Sequence, residues 1–361
     1  DYWTNFKVLL SAATAKFVSL ASVRGFQPGN KKHIPLELKN LIKLKQKLWS
    51  AYMKNKNLNN LLEYKITRNK VRRLSRELAQ SYQLSVAGKC KNNPKAFWKY
   101  VKTKTQTTST IGDLKYTDSN GKTVICSSDK DKSECLASFF EQVFVNDTSD
   151  FNYEKLLFKT DFPMNEISII PELVFAKLCK MNPNKSQGPD GIYPKILSEC
   201  RHEIYTCLAK IFSDSLCKRT LPEDWKISTI VPIFKKGSKH DPLNYRPVSL
   251  TSVPCKIIES ILSDSILSYF LNNNLFHGNQ YGFMKGKSTS LQLLKIMNLW
   301  TSALDQGKQV DIIYTDFEKA FDKVPHKKLI YKLKCYRLHD TLVGWIENFL
   351  TTRHFQVKVN D

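Results

Sequence analysis

WKISTIVPIFKKGSKHDPLNYRPVSL, residues Trp225 to Leu250, is the stretch from which the fold is read. Ile227, Thr229, Ile230, Val231 and Ile233 are β-prone and mostly apolar, so they predict a strand. Pro247-Val248-Ser249-Leu250 begins a second extended run. The loop between them holds Lys235, Lys236 and Lys239, and Arg246 follows at its end. Two strands joined by a basic, Gly-containing loop can cover a triphosphate, with Lys as a point charge and Arg as a planar fork. An ordinary solvated hairpin fits the same residues.

Downstream lies QVDIIYTDFEKAFD, Gln309 to Asp322. Val310, Ile312, Ile313 and Tyr314 predict a buried strand, with Asp316 at or just past its end. A carboxylate at the mouth of a sheet suits metal-dependent chemistry; a cap on the next helix is the plainer alternative. Ser186-Gln187-Gly188-Pro189-Asp190-Gly191 is a turn by composition. Gln280 to Thr289 is a Gly-punctuated basic loop before a helix through Leu291, Leu294 and Met297. That loop lacks the full P-loop spacing, which argues against a nucleotide triphosphatase.

The chain has 361 residues and a formal charge of +23, so a dissolved globular protein with a polyanionic partner is the first expectation. Residues 31–104 hold 20 Lys and Arg against only Glu37, Glu63 and Glu77. Leu38, Leu41, Ile42, Leu48, Trp49 and Tyr52 form one helical stripe there, and Val71, Leu74, Leu78 and Tyr82 another. Docking those stripes leaves the basic faces outward, Lys43, Lys47, Arg68, Arg72, Arg73 and Arg76 among them, either merely solvated or gripping nucleic acid. Asn93-Pro94 opens a further short helix through Phe97, Trp98 and Val101. Residues 103–110 (TKTQTTST) form a polar linker. Leu114-Lys115-Tyr116 and Thr123-Val124-Ile125 flank Asn120-Gly121 as a hairpin. Asp129 is expected to cap a helix bearing Leu136, Phe139, Phe140 and Val143, and 146–163 reads as loop. The expected domains are a basic helical connector over 1–105, a hairpin with helix and linker over 106–163, and a mixed domain over 164–361.

No apolar run approaches the ~18 residues of a membrane span, so no membrane partner is expected. Phe6 to Val23 reads as a short amphipathic helix, not a secretory signal. Nine cysteines without a C-x-x-C pair suit a reducing, intracellular setting, nucleus or cytoplasm, and Cys200 with His202 reads as helix surface instead of a metal site. A start at Asp1 instead of Met suggests a fragment.

Taken in order, four segments resemble the reverse transcriptases of non-long-terminal-repeat (LINE-type, jockey-like) retrotransposons. They are Gly188-Pro189-Asp190-Gly191-Ile192; Ile233-Phe234-Lys235-Lys236-Gly237 leading to Asn244-Tyr245-Arg246-Pro247-Val248-Ser249-Leu250; Gln280-x-Gly282-Phe283 ending in Ser288-Thr289; and Asp316-Phe317-x-Lys319-Ala320-Phe321-Asp322. The resemblance implies an α+β chain: a basic helical connector, then partial fingers and palm of a polymerase, the thumb absent. It implies RNA-templated DNA synthesis, with an RNA template, a DNA primer, deoxynucleoside triphosphates and two Mg²⁺ ions. Asp316 would be the first palm carboxylate, and the Phe317 carbonyl would complete one ion's shell. Phe321 would lie under the incoming sugar and exclude a 2′-hydroxyl. Arg246 would bridge the incoming nucleotide, Lys235 and Lys236 would neutralise its triphosphate, and the amides of Lys319 and Ala320 would face the phosphates.

One departure limits these implications. The chain ends 45 residues after Asp316 and contains no [FY]-x-D-D. Residues 341–360 read instead as a helix through Trp345, Ile346 and Phe349 and a strand at Phe355–Val359. The endonuclease, the remaining palm and the thumb would belong to the intact element. A lone carboxylate cannot hold two ions about 3.5–4 Å apart, so these residues alone are expected not to polymerise. A non-catalytic nucleic-acid-binding remnant acting through 31–104 is the alternative.

Overall fold

A computed structural model describes residues 1–18, 34–90, 94–105, 110–117, 121–144 and 158–360. Two compact units emerge: residues 15–109, and residues 1–14 together with 110–361. Helix α1 (Tyr2–Phe17) begins the chain. Its predicted continuation to Val23 and the hairpin turn at Asn120 lie outside the described residues, as does most of the predicted loop at 146–163.

The basic unit is built from α2 (Leu36–Asn55), α3 (Leu58–Lys89) and α4 (Pro94–Thr105). Lys56 in the left-handed region ends α2, and the Asn57 side chain caps α3 by accepting from the Asn59 amide at 2.8 Å. Of the predicted stripes, Leu38 and Val71 are buried, and Trp49 meets Tyr64, which lies outside them, with the rings 4.9 Å apart across the helical hairpin. Tyr82 and Tyr100, 5.7 Å apart, join α3 to α4. At ~1.5 Å per residue α3 is about 48 Å long, a long surface for a single cationic helix.

The larger unit has two cores. In the first, a two-stranded hairpin, β1 (Leu114–Thr117) with β2 (Thr123–Cys126), and α5 (Asp129–Glu141) cover a three-stranded sheet. The α5 cap is Ser128, whose hydroxyl accepts from the Asp131 amide; Asp129 lies inside the first turn, where its charge suits the helix dipole, and Val143 falls beyond the helix. The buried Lys132 ammonium sits among Asp113, Asp129 and the Ile111 carbonyl, and Asn360 bonds Ile111 and Asp129 in turn. This polar knot ties the hairpin to the far end of the chain.

The second core is helical. It collects α6 (Pro171–Lys180), α7 (Pro194–Glu199), α8 (Arg201–Lys218) and α9 (Glu223–Lys226) before the sheet. After strands β3 (Ile227–Phe234) and β4 (Tyr245–Leu250) come α10 (Val253–Asn272), α11 (Thr289–Asp305), α12 (His326–Cys335), α13 (Asp340–Leu350) and strand β5 (His354–Val357). Trp225, Phe212, Leu208, Ile258 and Leu342 are buried together there. Residues 1–14, which the sequence alone groups with the basic stretch, pack into this core instead, because Trp3 is buried against Trp225 at 5.2 Å. The sheet runs β4-β3-β5, with β4 antiparallel and β5 parallel to β3. The strand predicted at Phe355–Val359 is thus present, starting one residue earlier and ending two residues sooner, at Val357.

The strand predicted over Val310–Tyr314 does not form. Residues 308–317 run without a ladder, and Ile313 and Tyr314 are 88% and 84% exposed. An apolar run becomes a strand only when neighbours take up its backbone groups and cover its faces. The two described sheets provide no such neighbour, so the run stays open to solvent. Among the described residues, no helix is long and apolar enough to cross a membrane.

Candidate nucleotide and nucleic-acid site

Strands β3 and β4 pair in a register that sets Ile233 opposite Arg246 and Phe234 opposite Tyr245. Alternation sends Ser228, Ile230 and Pro232 inward and leaves Ile233 half exposed. Arg246 therefore stands on the open face of the hairpin, flanked by Ile233 and Val248. The connecting loop is braced. Gly237 takes φ +87°, and a Cβ there would meet the Asn244 amide nitrogen at 2.7 Å. Asn244 donates from that nitrogen to the Ser238 carbonyl, and the Tyr245 hydroxyl donates to the Lys239 carbonyl at 2.7 Å. His240 ties the loop to β1: its carbonyl accepts from the Lys115 amide, and its ring nitrogen lies 2.7 Å from the Asp113 carbonyl. On this frame Lys235, Lys236 and Arg246 are exposed and form no ion pair with a described residue. A stiff cationic edge with apolar flanks suits a phosphate-bearing ligand with a planar base.

The Gly188 turn docks at the exit of β4. A Cβ on Gly188 would sit 2.5 Å from the Thr251 carbonyl oxygen, so only glycine fits. Asp190 accepts from the Ile192 amide at 3.2 Å, while its other oxygen is buried with no hydrogen-bond partner among the described residues. Burial pushes the Asp190 carboxyl above its ordinary range, and the Ser252 hydroxyl and Ile192 amide pull the other way. Ser252 also caps α10 through the Cys255 amide. Gly188→Ala is expected to cost about 2–3 kcal/mol by overpacking against rigid backbone, which calorimetry would register as a melting point lowered by roughly 5–10 °C. An unchanged melting point would show that the turn gives way freely.

The other two motif segments meet through the Phe283 and Phe321 rings, edge to face at 6.1 Å, both more than 80% exposed. Tyr281 lies under the Lys287 and Lys295 ammonium groups at 5.1 and 6.0 Å. Ser288 caps α11 by accepting from the Leu291 amide, yet α11 buries none of its residues, Leu291, Leu294 and Met297 included. Asp316 is exposed and makes no hydrogen bond or ion pair with a described residue; it caps no helix, since a turn at 318–323 follows. Phe317 is 83% exposed, Lys319 takes φ +50°, Ala320 is exposed, and Glu318 pairs with Lys323 at 2.8 Å. The structure thus joins the first motif to the second and the third to the fourth. No hydrogen bond, ion pair or ring contact among the described residues joins Asp316 to Arg246.

The described residues hold no cluster of three metal-ligating side chains. Asp316 is an oxygen donor of the kind Mg²⁺ takes, but one carboxylate does not make a two-ion site. His202 lies in α8, where its ring packs on Phe175 at 4.9 Å, whereas Cys200 falls outside a helix, as the cap residue between α7 and α8.

On the basic unit, Lys43, Lys47, Arg72, Arg73 and Arg76 are exposed, with Arg73 3.7 Å from Glu77. Arg68 differs: it is partly buried, lies 5.9 Å over the Tyr64 ring, and its Nε is buried without a partner. The sequence placed Asp190 in a turn motif but assigned it no role, and it gave no role to Trp3 or Asp224. A tryptophan in an otherwise middling amphipathic stretch was the only available signal for the last two.

Residues 233–361 match the model of the reverse transcriptase (RNA-dependent DNA polymerase) family. The chain is 25% identical over 245 residues to the probable RNA-directed DNA polymerase from transposon BS of Drosophila melanogaster, covering 66% of this chain and 27% of that protein. It is 27% identical over 249 residues to the RNA-directed DNA polymerase from mobile element jockey of the same fly, covering 65% and 26%. Similarity to the X-element polymerase is 26% over 252 residues, 67% of this chain and 27% of that protein. The matched stretch spans about a quarter of each of these relatives. The resemblance to LINE-type reverse transcriptases read from the four motifs therefore holds.

Proposed function

We propose that this chain supplies the fingers and the beginning of the palm of a non-LTR retrotransposon reverse transcriptase, with the basic helices gripping the RNA template. The observation that carries the reading is the braced β3–β4 hairpin, which offers Arg246, Lys235 and Lys236 on an open face without ion partners among the described residues. In this role Arg246 holds the incoming deoxynucleotide while the two lysines offset its triphosphate charge. The Lys319 and Ala320 amides face the phosphates, and Phe321 closes the space a 2′-hydroxyl needs. Asp316 and the Phe317 carbonyl contribute to a divalent-metal site whose other carboxylates are not among these residues. Reverse transcriptases use divalent ions, which supply charge stabilisation when bound. An endonuclease and the remaining palm and thumb complete the protein of the intact element, which works on its RNA and a DNA primer inside the cell.

The test is steady-state primer extension by that intact protein. Arg246→Ala should raise the deoxynucleotide KM by about 10- to 100-fold, the loss of one charge-assisted contact. Phe321→Ala should mainly relax discrimination against ribonucleotides. Unchanged KM and unchanged sugar selection would remove the nucleotide-site assignment. A second reading, a binding segment without catalysis, draws support from residues 271–323, which carry two motif segments and bury none of their side chains.

A further inference from the structure

Helix α1 is seated in a core made by residues more than two hundred positions away. Trp3 is 3% exposed and meets the edge of Trp225, which in turn lies 5.9 Å from Phe212. Phe6 and Leu10, one and two turns on, pack against the same cluster. The indole Nε1 of Trp3 donates to Asp224 at 2.8 Å, and the Lys7 ammonium pairs with that same carboxylate oxygen. Burial pushes the Asp224 carboxyl up, but Lys7 and Trp3 together outweigh it and hold it below the ordinary range. An aromatic anchor, two apolar supports and a charge-assisted pair are the ingredients of a helix-in-groove dock.

The chain leaves this unit after Thr14 and returns at Thr110. The basic helices are therefore an insertion between two anchored ends, not a tail hanging from one. We infer that α1 is a plug, Trp3 its pin, that closes the basic unit into a loop fixed at both ends to the unit carrying the Arg246 hairpin. The groove's occupant is α1 itself. The functional half of this inference rests on the proposal that the basic helices bind RNA: RNA caught there is held by a doubly attached segment, which keeps its effective concentration at the hairpin high.

The experiment places a protease site within TKTQTTST of the 361-residue chain, tags the C-terminal end, and cuts. The severed halves are expected to co-elute at micromolar concentration. A peptide of residues 1–17 in excess should displace the N-terminal half, whereas the same peptide carrying Trp3→Ala should not. Captured RNA on the tagged half should fall by about tenfold when the plug is displaced. Separation of the halves on cutting, or equal displacement by both peptides, would overturn the plug. Co-elution that Trp3→Ala in the cut chain abolishes supports it. Co-elution without any RNA affinity supports the plug and overturns only the RNA reading. The peptide arm leaves the folded chain unmodified, so misfolding of the Trp3→Ala variant cannot imitate the result.

Discussion

Asp316→Asn in the intact element's polymerase is expected to lower primer extension on an RNA template by at least about a thousandfold, a loss typical of removing a group on which charge development depends. The carboxylate is exposed and has no ion pair among the described residues, so its charge is available. Its nearest acidic neighbour in the segment, Glu318, is already committed to Lys323, which holds the Glu318 carboxyl below its ordinary range. Asparagine keeps the shape and removes the charge, so folding should be untouched and RNA binding by the basic helices unchanged. Product length on a sequencing gel reads the outcome, and synthesis at the parental rate would end the assignment. The 361 residues alone should extend no primer with Mg²⁺ and deoxynucleotides. Extension by them that Asp316→Ala abolishes would show that the set of carboxylates is more complete than the four motifs imply.

RNA affinity of the 361-residue chain should fall by about a thousandfold between 50 and 200 mM salt, since six phosphate contacts give a slope near five on logarithmic axes. The six are Lys43, Lys47, Arg68, Arg72, Arg73 and Arg76. Five of them are exposed on α2 and α3, and among the described residues only Arg73, 3.7 Å from Glu77, has an ion partner. Neutralising Lys43 and Lys47 together should flatten the slope by about 1.5, at ~0.7–0.9 per contact. Arg68 should matter least to the slope and most to stability, because it leans on Tyr64 and is partly buried. Changing the RNA sequence while keeping its structure should move affinity little, as phosphate contacts carry no base information. A fluorescence titration across that salt range checks the expectations on affinity and slope, a thermal melt checks the stability effect of Arg68, and a flat salt response would refute the electrostatic account.

Much of the fold was legible. The β3–β4 hairpin followed from β-prone residues flanking a Gly-containing loop within one 26-residue window. The α2–α3 pair followed from stripes spaced at the helical period, and α4 from Pro94 at its first position. These signals are local, so one segment contains the whole instruction. The failure at Val310–Tyr314 has the opposite cause. Its composition suits a strand, but a strand's stability belongs to the ladder it joins, and no described strand pairs with it. The α5 cap was misplaced by a single residue, since Ser128 and Asp129 are both good caps and only backbone geometry separates them.

The candidate site divides along the same line. Charge and position in the sequence put forward Arg246, Lys235, Lys236 and Asp316 as candidates, and the motif resemblance added Phe321, because a charge or a ring in a motif is visible without coordinates. The sequence also determined the charge asymmetry of residues 31–104 and the helices that carry it. Only the tertiary structure decided that Gly188 must be glycine, since the Thr251 carbonyl pressing on it lies 63 positions away. It alone half-buried Asp190 and drew Trp3 to Trp225 and Asp224. The physical reason is range: turns, caps and amphipathic stripes arise from neighbours in sequence, whereas close approach, desolvation and ion pairing depend on which distant segments the folded chain brings face to face.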